Sequence, residues 1–362
     1  MWTDVTPATI NLDPAAFNND NFGMQDVVVD PVRPSDLYAF TCHQGVWKSV
    51  DFGQTWRKIN TGTNGMSLDA GKLWTAIIDP DTARDPATLP ILWTASGDAA
   101  AGVWKSTDGG VSWMSYAVDN ATAVAASDGN TYFGNDVYAL DIDPNDSSHL
   151  IAGFHGYPGI SESTDGGEHW VTVTVPAGIG ASLYPFFVHT GDTATTRTTW
   201  LTQAQWDSNT AGIWRTENAG ASWTHVAPTL EHKHGSTQFF QPGDGVVYAP
   251  SVNPNGIFRS IDAGKTWTSV SGSLTNAVFG TRDTLYSMDS FATGGTYAPD
   301  MQSSSPDGDA WSPMPIVPAM TNGTKRAAVT FDGSHYVIVS GNWLGGLWRF
   351  VESDDIFDNG FE

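Results

Sequence analysis

Imidazole, ammonium and carboxylate side chains gather in a few short segments of a chain in which basic residues are scarce. The 362 residues include 16 Lys and Arg, 39 Asp and Glu, and nine His. Imidazoles and carboxyl groups are the side chains that most often transfer protons in enzymes, and a tyrosine can do the same. By residue type and position, the candidates for catalysis are His43, His155, His234, Asp136 and Tyr157.

A second set of residues carries groups suited to holding a substrate. The candidates for substrate binding are Lys72, Asp26, Asp98, His232, Trp206, Lys325, Arg326, Asn342 and Trp343. Aromatic planes bind sugar rings, and we expect Tyr157, Trp206 and Trp343 to be exposed for that purpose. His232 and His234 would lie on one side of a strand, but two ligands are too few for a metal site. We therefore assign no cofactor and no metal ligand, and keep a structural or central-channel ion as an alternative.

The scaffold that positions these groups is encoded by a repeated nonapeptide. "KSTDGGVSW" at 105–113 has copies at 48–56, 162–170, 215–223 and 259–267, and a shorter one at 304–311. The period of 44 to 57 residues suits a unit of four strands. β-Branched and aromatic runs bounded by Gly, Pro, Asn and Asp predict those strands. The nonapeptide is predicted to be the turn between strands three and four, with its Trp packed on the neighbouring unit.

Six such units, and a seventh without the nonapeptide, predict an all-β fold. We expect a single seven-bladed β-propeller of four-stranded antiparallel blades over residues 1–351. The N-terminal strand, "MWTDVTP", is expected to pair into the last blade and close the ring, which removes exposed strand edges. The acidic segment 352–362 is expected to be a disordered tail.

The repeat also predicts where the site lies. If the nonapeptides share one face of the ring, the connections from strand two to strand three share the other face. The segments that enter each first strand lie there too. The candidates fall in such segments, including "CHQG", "SGDAAAG", "FHGYPG", "EHKHG" and "GNWLGG". Because loops on a rigid scaffold usually carry function, we expect a carbohydrate site around the central channel on that face.

Charge and hydropathy exclude several classes of function. A net charge of −23 repels phosphate backbones and anionic lipids, so we expect no nucleic-acid partner. No apolar run of about 18 residues occurs, so we expect no membrane partner. Cys42 is the single cysteine, which excludes an internal disulfide. No signal peptide is visible after Met1. We expect a secreted or periplasmic monomer; if the protein is exported, this start has been processed or re-engineered.

The nonapeptides are similar to Asp-box (BNR) repeats. Over residues 24–350 the chain resembles the propeller superfamily of sialidases, glycoside hydrolase family 74 xyloglucanases, sortilin-like receptor domains and photosystem II assembly factors. "GVWKSTDGG" and "DIDPNDSSHLIAG" are most similar to the xyloglucanase-like branch. The chain departs from that branch at "TCHQG", where Cys42 stands at the position of the Asp in a "TDIGG"-like motif. It also has one propeller where those enzymes pair two. No sialidase "RIP" motif occurs.

Three functions remain open from the sequence. The first is a glycoside hydrolase, which needs two carboxylates about 5–5.5 Å apart for retention or about 6.5–9.5 Å apart for inversion. The alternative is a polysaccharide lyase on a uronate-containing glycan, with a His or Tyr base and Lys or Arg neutralising the carboxylate. The second alternative is a non-catalytic propeller that binds a glycan or a protein.

Overall fold

A computed structural model describes residues 1–82, 85–116, 118, 124–125, 131–132, 136–204, 211–232, 239–271, 277–289 and 299–352. These residues form seven antiparallel sheets of four strands each and one two-stranded hairpin. The predicted seven-bladed β-propeller is confirmed. No helix in the described ranges is long and apolar enough to span a membrane.

The blades follow the chain in order. Blade 1 is Met24–Asp30, Arg33–Thr41, Val46–Ser49 and Arg57–Lys58; blade 2 is Gly71–Ile78, Leu92–Asp98, Gly102–Ser106 and Met114–Tyr116; blade 3 is Val137–Asp143, Asp146–Phe154, Tyr157–Ser163 and Val171–Val173; blade 4 is Tyr184–Phe187, Trp200–Ala204, Gly212–Thr216 and Thr224–Ala227. Blade 5 is Phe240–Gly243, Val246–Val252, Asn255–Ser260 and Thr268–Ser269; blade 6 is Ala277–Gly280, Leu285–Met288, Met301–Ser304 and Trp311–Pro313; blade 7 is Thr324–Phe331, Tyr336–Asn342, Gly346–Val351 and Thr3–Asp4. The small hairpin is Val124–Ala125 with Thr131–Tyr132, and the helical turns are Ala16–Asn19, Gly65–Ala70 and Thr193–Thr198.

The N-terminal strand closes the ring in blade 7. Thr3 and Asp4 pair with Arg349 and Trp348 of the last strand. Trp2 is buried against Phe350, with ring centroids 5.3 Å apart. The first and last segments of the propeller therefore share one blade, with Thr3–Asp4 as its outermost strand.

The repeated nonapeptide is a self-contained turn. In the first copy, Ser49 Oγ donates to Asp51 Oδ1 at 2.7 Å and accepts from Gly53 N at 2.9 Å. Asp51 Oδ1 also accepts from Thr55 N at 2.9 Å, and Trp56 Nε1 donates to Gly53 O at 3.1 Å. The copies ending at positions 113, 170 and 267 repeat these bonds. Because the polar groups of the nonapeptide are used within the turn, the prediction of a structural turn is confirmed.

Apolar clusters lie between neighbouring blades. Trp113, from the nonapeptide of blade 2, is 3% exposed and meets Phe40 of blade 1 edge-on, with centroids 6.3 Å apart. Both belong to one buried cluster that spans the two blades. Trp113 thus contributes both to its own turn, through its bond to Gly110 O, and to the packing of blade 2 on blade 1.

The chain end departs from expectation by one residue. Glu352, assigned above to the tail, is buried and accepts a hydrogen bond from Tyr286 Oη at 2.6 Å. It belongs to the propeller because this bond connects it to blade 6. The rest of the predicted tail, 353–362, lies outside the described residues.

Candidate functional site

Five of the predicted residues meet where blades 1, 2 and 3 adjoin on the upper face, the face opposite the nonapeptide turns. His43 follows the second strand of blade 1, and Lys72 is the second residue of blade 2. Asp98 ends the second strand of blade 2. Asp136 precedes the first strand of blade 3, and His155 follows its second strand. The two types of connection predicted to share a face therefore do so.

Backbone contacts hold blade 1 against blade 2 at this point. His43 N donates to Gly71 O at 2.9 Å, and Cys42 forms an isolated antiparallel bridge with Lys72. His43 and Asp98 have φ values of 59° and 58°, a left-handed conformation that turns the chain sharply. The turns bring both side chains to Lys72.

Four residues form what we call the charge cluster: Asp20, His43, Lys72 and Asp98. Lys72 Nζ lies 2.8 Å from Asp20 Oδ1 and 3.0 Å from Asp98 Oδ2. His43 Nε2 lies 3.0 Å from Asp20 Oδ2 and 3.9 Å from Asp98 Oδ2. The Lys72 and His43 side chains are 13% and 12% exposed, whereas those of Asp20 and Asp98 are 34% and 35% exposed. The Lys72 and His43 side chains thus lie deeper than two carboxylates that a ligand can reach.

The two carboxylates of the charge cluster differ in acidity. Burial opposes ionisation of Asp20, but hydrogen bonds from Lys72 and His43 outweigh it and lower the pKa of Asp20. Burial raises the pKa of Asp98, and Lys72 only partly offsets this because the carboxylates of Asp20 and Asp136 raise it further. Burial would lower the pKa of Lys72, yet its two carboxylate partners hold it above the ordinary lysine value. The pKa of Asp20 is therefore lowered and that of its neighbour Asp98 is raised.

Asp136 and His155 form a second pair beside the charge cluster. His155 Nδ1 lies 3.0 Å from Asp136 Oδ2, and Trp74 Nε1 donates to Asp136 Oδ1 at 3.2 Å. The carboxylate orients the imidazole and favours a proton on Nδ1. Lys72 Nζ lies 5.8 Å from the Trp74 ring centroid, so Trp74 lies between the pair and the charge cluster.

Trp343 is not the exposed plane that the sequence predicted. It is 6% exposed, and its ring stacks on Phe22 at a centroid distance of 4.8 Å. Trp343 also bridges to Gly23, at the entry to blade 1. The prediction of exposure is wrong because the connection folds inward, and Trp343 joins Trp74 in a buried aromatic cluster under the rim.

Two further predicted substrate ligands are fully buried. Asn342 accepts from Ser340 Oγ at 2.6 Å and donates to Asn322 O at 2.7 Å. His232 lies with Nε2 2.8 Å from Ser182 O, and its ring packs on Tyr184. Neither side chain reaches the surface of this structure, so we correct both from direct substrate contact to support of the rim.

Asp26, Lys325 and Arg326 belong to the central channel rather than to the upper surface. Asp26 is buried and accepts from Val27 N and Ala76 N, both at 2.8 Å. Burial raises the pKa of Asp26, although Arg326 opposes the rise. Burial lowers the pKa of Lys325 to about 7; Arg326 lowers it as well, while Asp26 acts in the opposite direction. Their expected role as surface ligands is therefore corrected, since bulges and strand starts place them inside the ring.

The remaining predicted residues are Tyr157, His234 and Trp206. Tyr157 is half-buried and packs edge-on against Phe154 at 5.8 Å, so it is only partly the exposed plane expected of it. His234 and Trp206 lie outside the described residues.

Asp20 is the important residue that the sequence did not reveal. It lies in the segment between the N-terminal strand and blade 1, which has no counterpart in the repeats. The three residues before it, 17–19, all have positive φ, and this backbone path carries no periodic pattern. Cys42 Sγ donates to Asp20 O at 3.2 Å. Burial raises the pKa of the Cys42 thiol to about 12, so Cys42 supplies no thiolate.

The charge cluster also contains a set of atoms with metal-ligand spacing. One ligand atom each from Asp20, His43 and Asp98 lies within 4.8 Å of the other two. Lys72 already gives both carboxylates a positive partner, so the donors are shared with an ammonium group. We assign no metal to this cluster.

The fold and the charged rim define a single seven-bladed propeller with a polar cluster opposite its nonapeptide turns. No protein family model matches the chain. An oligoxyloglucan-reducing end-specific xyloglucanase from Emericella nidulans is 28% identical over 158 residues, which are 42% of this chain and 18% of that protein.

Solved structures with this fold cover nearly the whole chain. The GH74 xyloglucanase from Xanthomonas campestris matches with a TM-score of 0.64 at 18% identity, over 96% of this chain and 53% of that one. YCF48 bound to D1 peptide matches with a TM-score of 0.59 at 13% identity, over 97% of each chain. At these identities the structures establish the fold. This chain spans about half of the xyloglucanase structure, and its match spans less than a fifth of the curated relative.

Proposed function

We propose that the chain is a glycoside hydrolase-like, carbohydrate-active protein that binds a polysaccharide or oligosaccharide on its upper face. The observation that carries the proposal is the Asp20–Lys72–Asp98 arrangement. It presents two reachable carboxylates, with an oxygen of each within 4.8 Å, whose pKa values are shifted in opposite directions. Paired carboxyl groups with split acidity are what cleavage of a glycosidic bond requires.

The pair divides the roles in the proposed reaction. Asp98, whose pKa is raised, is the acid that protonates the leaving oxygen of the glycosidic bond. Asp20 stays ionised and faces the sugar carbon; the short separation favours attack by Asp20 itself over attack by an intervening water. Lys72 and His43 position Asp20 through hydrogen bonds. The pair His155–Asp136 lies alongside and would bind sugar hydroxyls.

Similarity to xyloglucanases supports a polysaccharide substrate. One residue of the motif that the resemblance implies is substituted in this chain. Cys42 occupies the position of the Asp in the motif that the family resemblance implies. Asp20 brings a carboxylate to His43, the residue after Cys42, from a different segment. The proposal is thus that the acid lost at position 42 is supplied by Asp20. The lyase alternative has no support from these relatives.

The test is a product assay on a panel of polysaccharides that includes xyloglucan. Wild type is expected to release reducing ends, without the ultraviolet absorbance of unsaturated lyase products. Asp98→Asn should lower turnover by about 10²-fold or more, the contribution of general acid catalysis. Asp244→Asn changes an exposed carboxylate in a lower-face turn of blade 5 and is the matched control. Equal activity of wild type and Asp98→Asn would overturn the assignment.

A second candidate function is binding without catalysis. YCF48, solved with a D1 peptide, is similar to this chain over 97% of both lengths, so a propeller of this size is known in complex with a peptide. The ion pair of Asp98 with Lys72 at 3.0 Å is also compatible with a purely structural carboxylate. Retained affinity for a glycan or a peptide without any product in the panel would favour this function.

We also propose that the protein is a monomer that acts outside the cytoplasm, where polysaccharides are accessible. The net charge of −23 disfavours self-association at neutral pH. Size-exclusion chromatography with light scattering tests the first point, and a dimer at micromolar concentration would contradict it. Fractionation of the producing cells tests the second.

A further inference from the structure

The central channel holds a site that the upper-face chemistry does not use. Two cavities lie along it. One, of about 110 Å³, is lined by Thr324, Lys325 and Arg326 of blade 7 together with phenylalanines of blades 5 and 6. The other, of about 410 Å³, has walls of Val, Ile, Ala, Phe, Gly and Pro only. They share Phe240, Phe279 and Ala327, so they adjoin.

The small cavity contains donors with no acceptor among the described residues. Arg326 Nε and Thr324 Oγ1 are buried atoms without a hydrogen-bond partner there, and Thr324 is 1% exposed. Lys325 Nζ lies 3.4 Å from Trp74 O and 5.4 Å from the centroid of the Trp74 ring. Leaving such donors unpaired costs about 1–3 kcal/mol each, more for a charged group. An acceptor in this cavity would recover that free energy.

The carboxylates near these cations are already engaged elsewhere. Asp26 accepts from Val27 N and Ala76 N. Asp141, on the first strand of blade 3, accepts from Phe187 N at 2.7 Å. Burial raises the pKa of both carboxyl groups, that of Asp141 to about 7, and neither group supplies the missing acceptor. Among the residues that line the small cavity Arg326 is the one guanidinium, so a monoanion matches its charge better than a phosphate dianion does.

The larger cavity lies on the nonapeptide side of the cations. Its lining comes from the later residues of first strands, such as Val29, Ile78 and Val329, and from Pro31 in the following turn. These residues are half-buried or exposed, which leaves an apolar wall open toward the lower face. A ligand that satisfies both cavities needs one anionic end and an apolar remainder.

We infer that the channel binds an aliphatic monocarboxylate, entering from the lower face with its carboxylate on Arg326 and Thr324 and its chain along the valine-rich wall. The planar guanidinium matches a carboxylate, and Thr324 adds a neutral donor. This site is independent of the proposed glycan site. It lies on the nonapeptide side of Lys325 and Arg326, whereas the glycan site lies on the upper face.

The test uses octanoate as the probe and the full chain as the protein. Isothermal titration should show octanoate binding more tightly than octanol, octylamine or acetate, since each of these lacks the carboxylate or the chain. Arg326→Gln should weaken octanoate binding by about tenfold or more, as the loss of a charge-assisted hydrogen bond implies. Arg282→Gln, an exposed arginine in a lower-face turn of blade 6, is the matched control and should bind normally.

A second variant separates loss of the site from loss of the fold. Ala328→Leu fills the apolar cavity and should weaken octanoate binding while acetate binding stays unchanged. Circular dichroism and the thermal midpoint report folding of both variants. The inference is overturned if octanoate does not bind, if octanol binds equally well, or if folded Arg326→Gln retains wild-type affinity.

Discussion

Replacing Trp113 by Ala should destabilise the propeller by about 3–5 kcal/mol, the range for buried Trp→Ala changes. Trp113 is 3% exposed, and a buried tryptophan removes about 150–250 Å² from water, worth at most about 4–6 kcal/mol. The hydrogen bond from Trp113 Nε1 to Gly110 O, at 2.9 Å, is lost as well, which adds about 1 kcal/mol. The alanine side chain recovers a small part of this burial.

The matched control for that experiment is Trp170→Ala. Trp170 occupies the same place in the next nonapeptide and donates to Gly167 O at 2.9 Å, but it is only partly buried. Urea unfolding should give a clearly smaller loss of the free energy of unfolding for Trp170→Ala, with unchanged m values for both variants. Equal losses for the two variants, or a loss under about 1 kcal/mol for Trp113→Ala, would refute the idea that these tryptophans act by packing between blades.

Two further predictions concern titrating groups. Lys72→Met removes the cation that opposes the raised pKa of Asp98 and helps lower that of Asp20, so both pKa values should rise. NMR titration of the carboxyl carbons measures both pKa values directly, and any pH–rate profile should move to higher pH on both limbs. If neither pKa value changes, Lys72 does not set the acidity of Asp20 and Asp98. His149 has Nε2 2.8 Å from Glu162 and Nδ1 3.3 Å from Asp143; burial lowers its pKa, but these carboxylates outweigh burial and raise it above 6.5. The stability advantage of wild type over His149→Gln should be full below pH 6.5 and decline as pH rises through the folded pKa, whereas parallel stability curves across that range would contradict it.

The fold could be predicted because the same short sequence motif and strand pattern recur in each blade. The nonapeptides that end at Trp56, Trp113, Trp170 and Trp267 form their turn hydrogen bonds within nine residues, so these turns depend on local sequence alone. Closure of the ring was also predictable, because the strand missing from the last unit is found at the N-terminus. The meeting of Lys72, Asp98 and His155 at one rim followed from the connectivity of the blades.

The depth of individual side chains could not be predicted. His232 and Asn342 lie in the same kinds of connection as His43, yet they are fully buried. A strand start near the axis can direct its side chain outward to the rim or inward to the channel, and a single bulge reverses the choice. Lys325 shows this, since the register shifts between Thr324 and Arg326.

The part of the site that sequence reasoning missed is also the part on which its chemistry depends. Asp20 comes from an irregular segment, while Lys72, Asp98 and Asp136 come from the repeating blades. Without Asp20, Lys72 would contact only the carboxylate of Asp98. The cluster would then lack the second carboxyl group, and with it the difference in pKa between Asp20 and Asp98. The repeated blades place similar residues at equivalent positions around the rim. For one of these positions to have different charged neighbours from the others, a segment outside the repeat must contribute a side chain. The segment at residues 8–23 does so, and it accounts for a polar cluster at the junction of blades 1 and 2 on an otherwise repetitive ring.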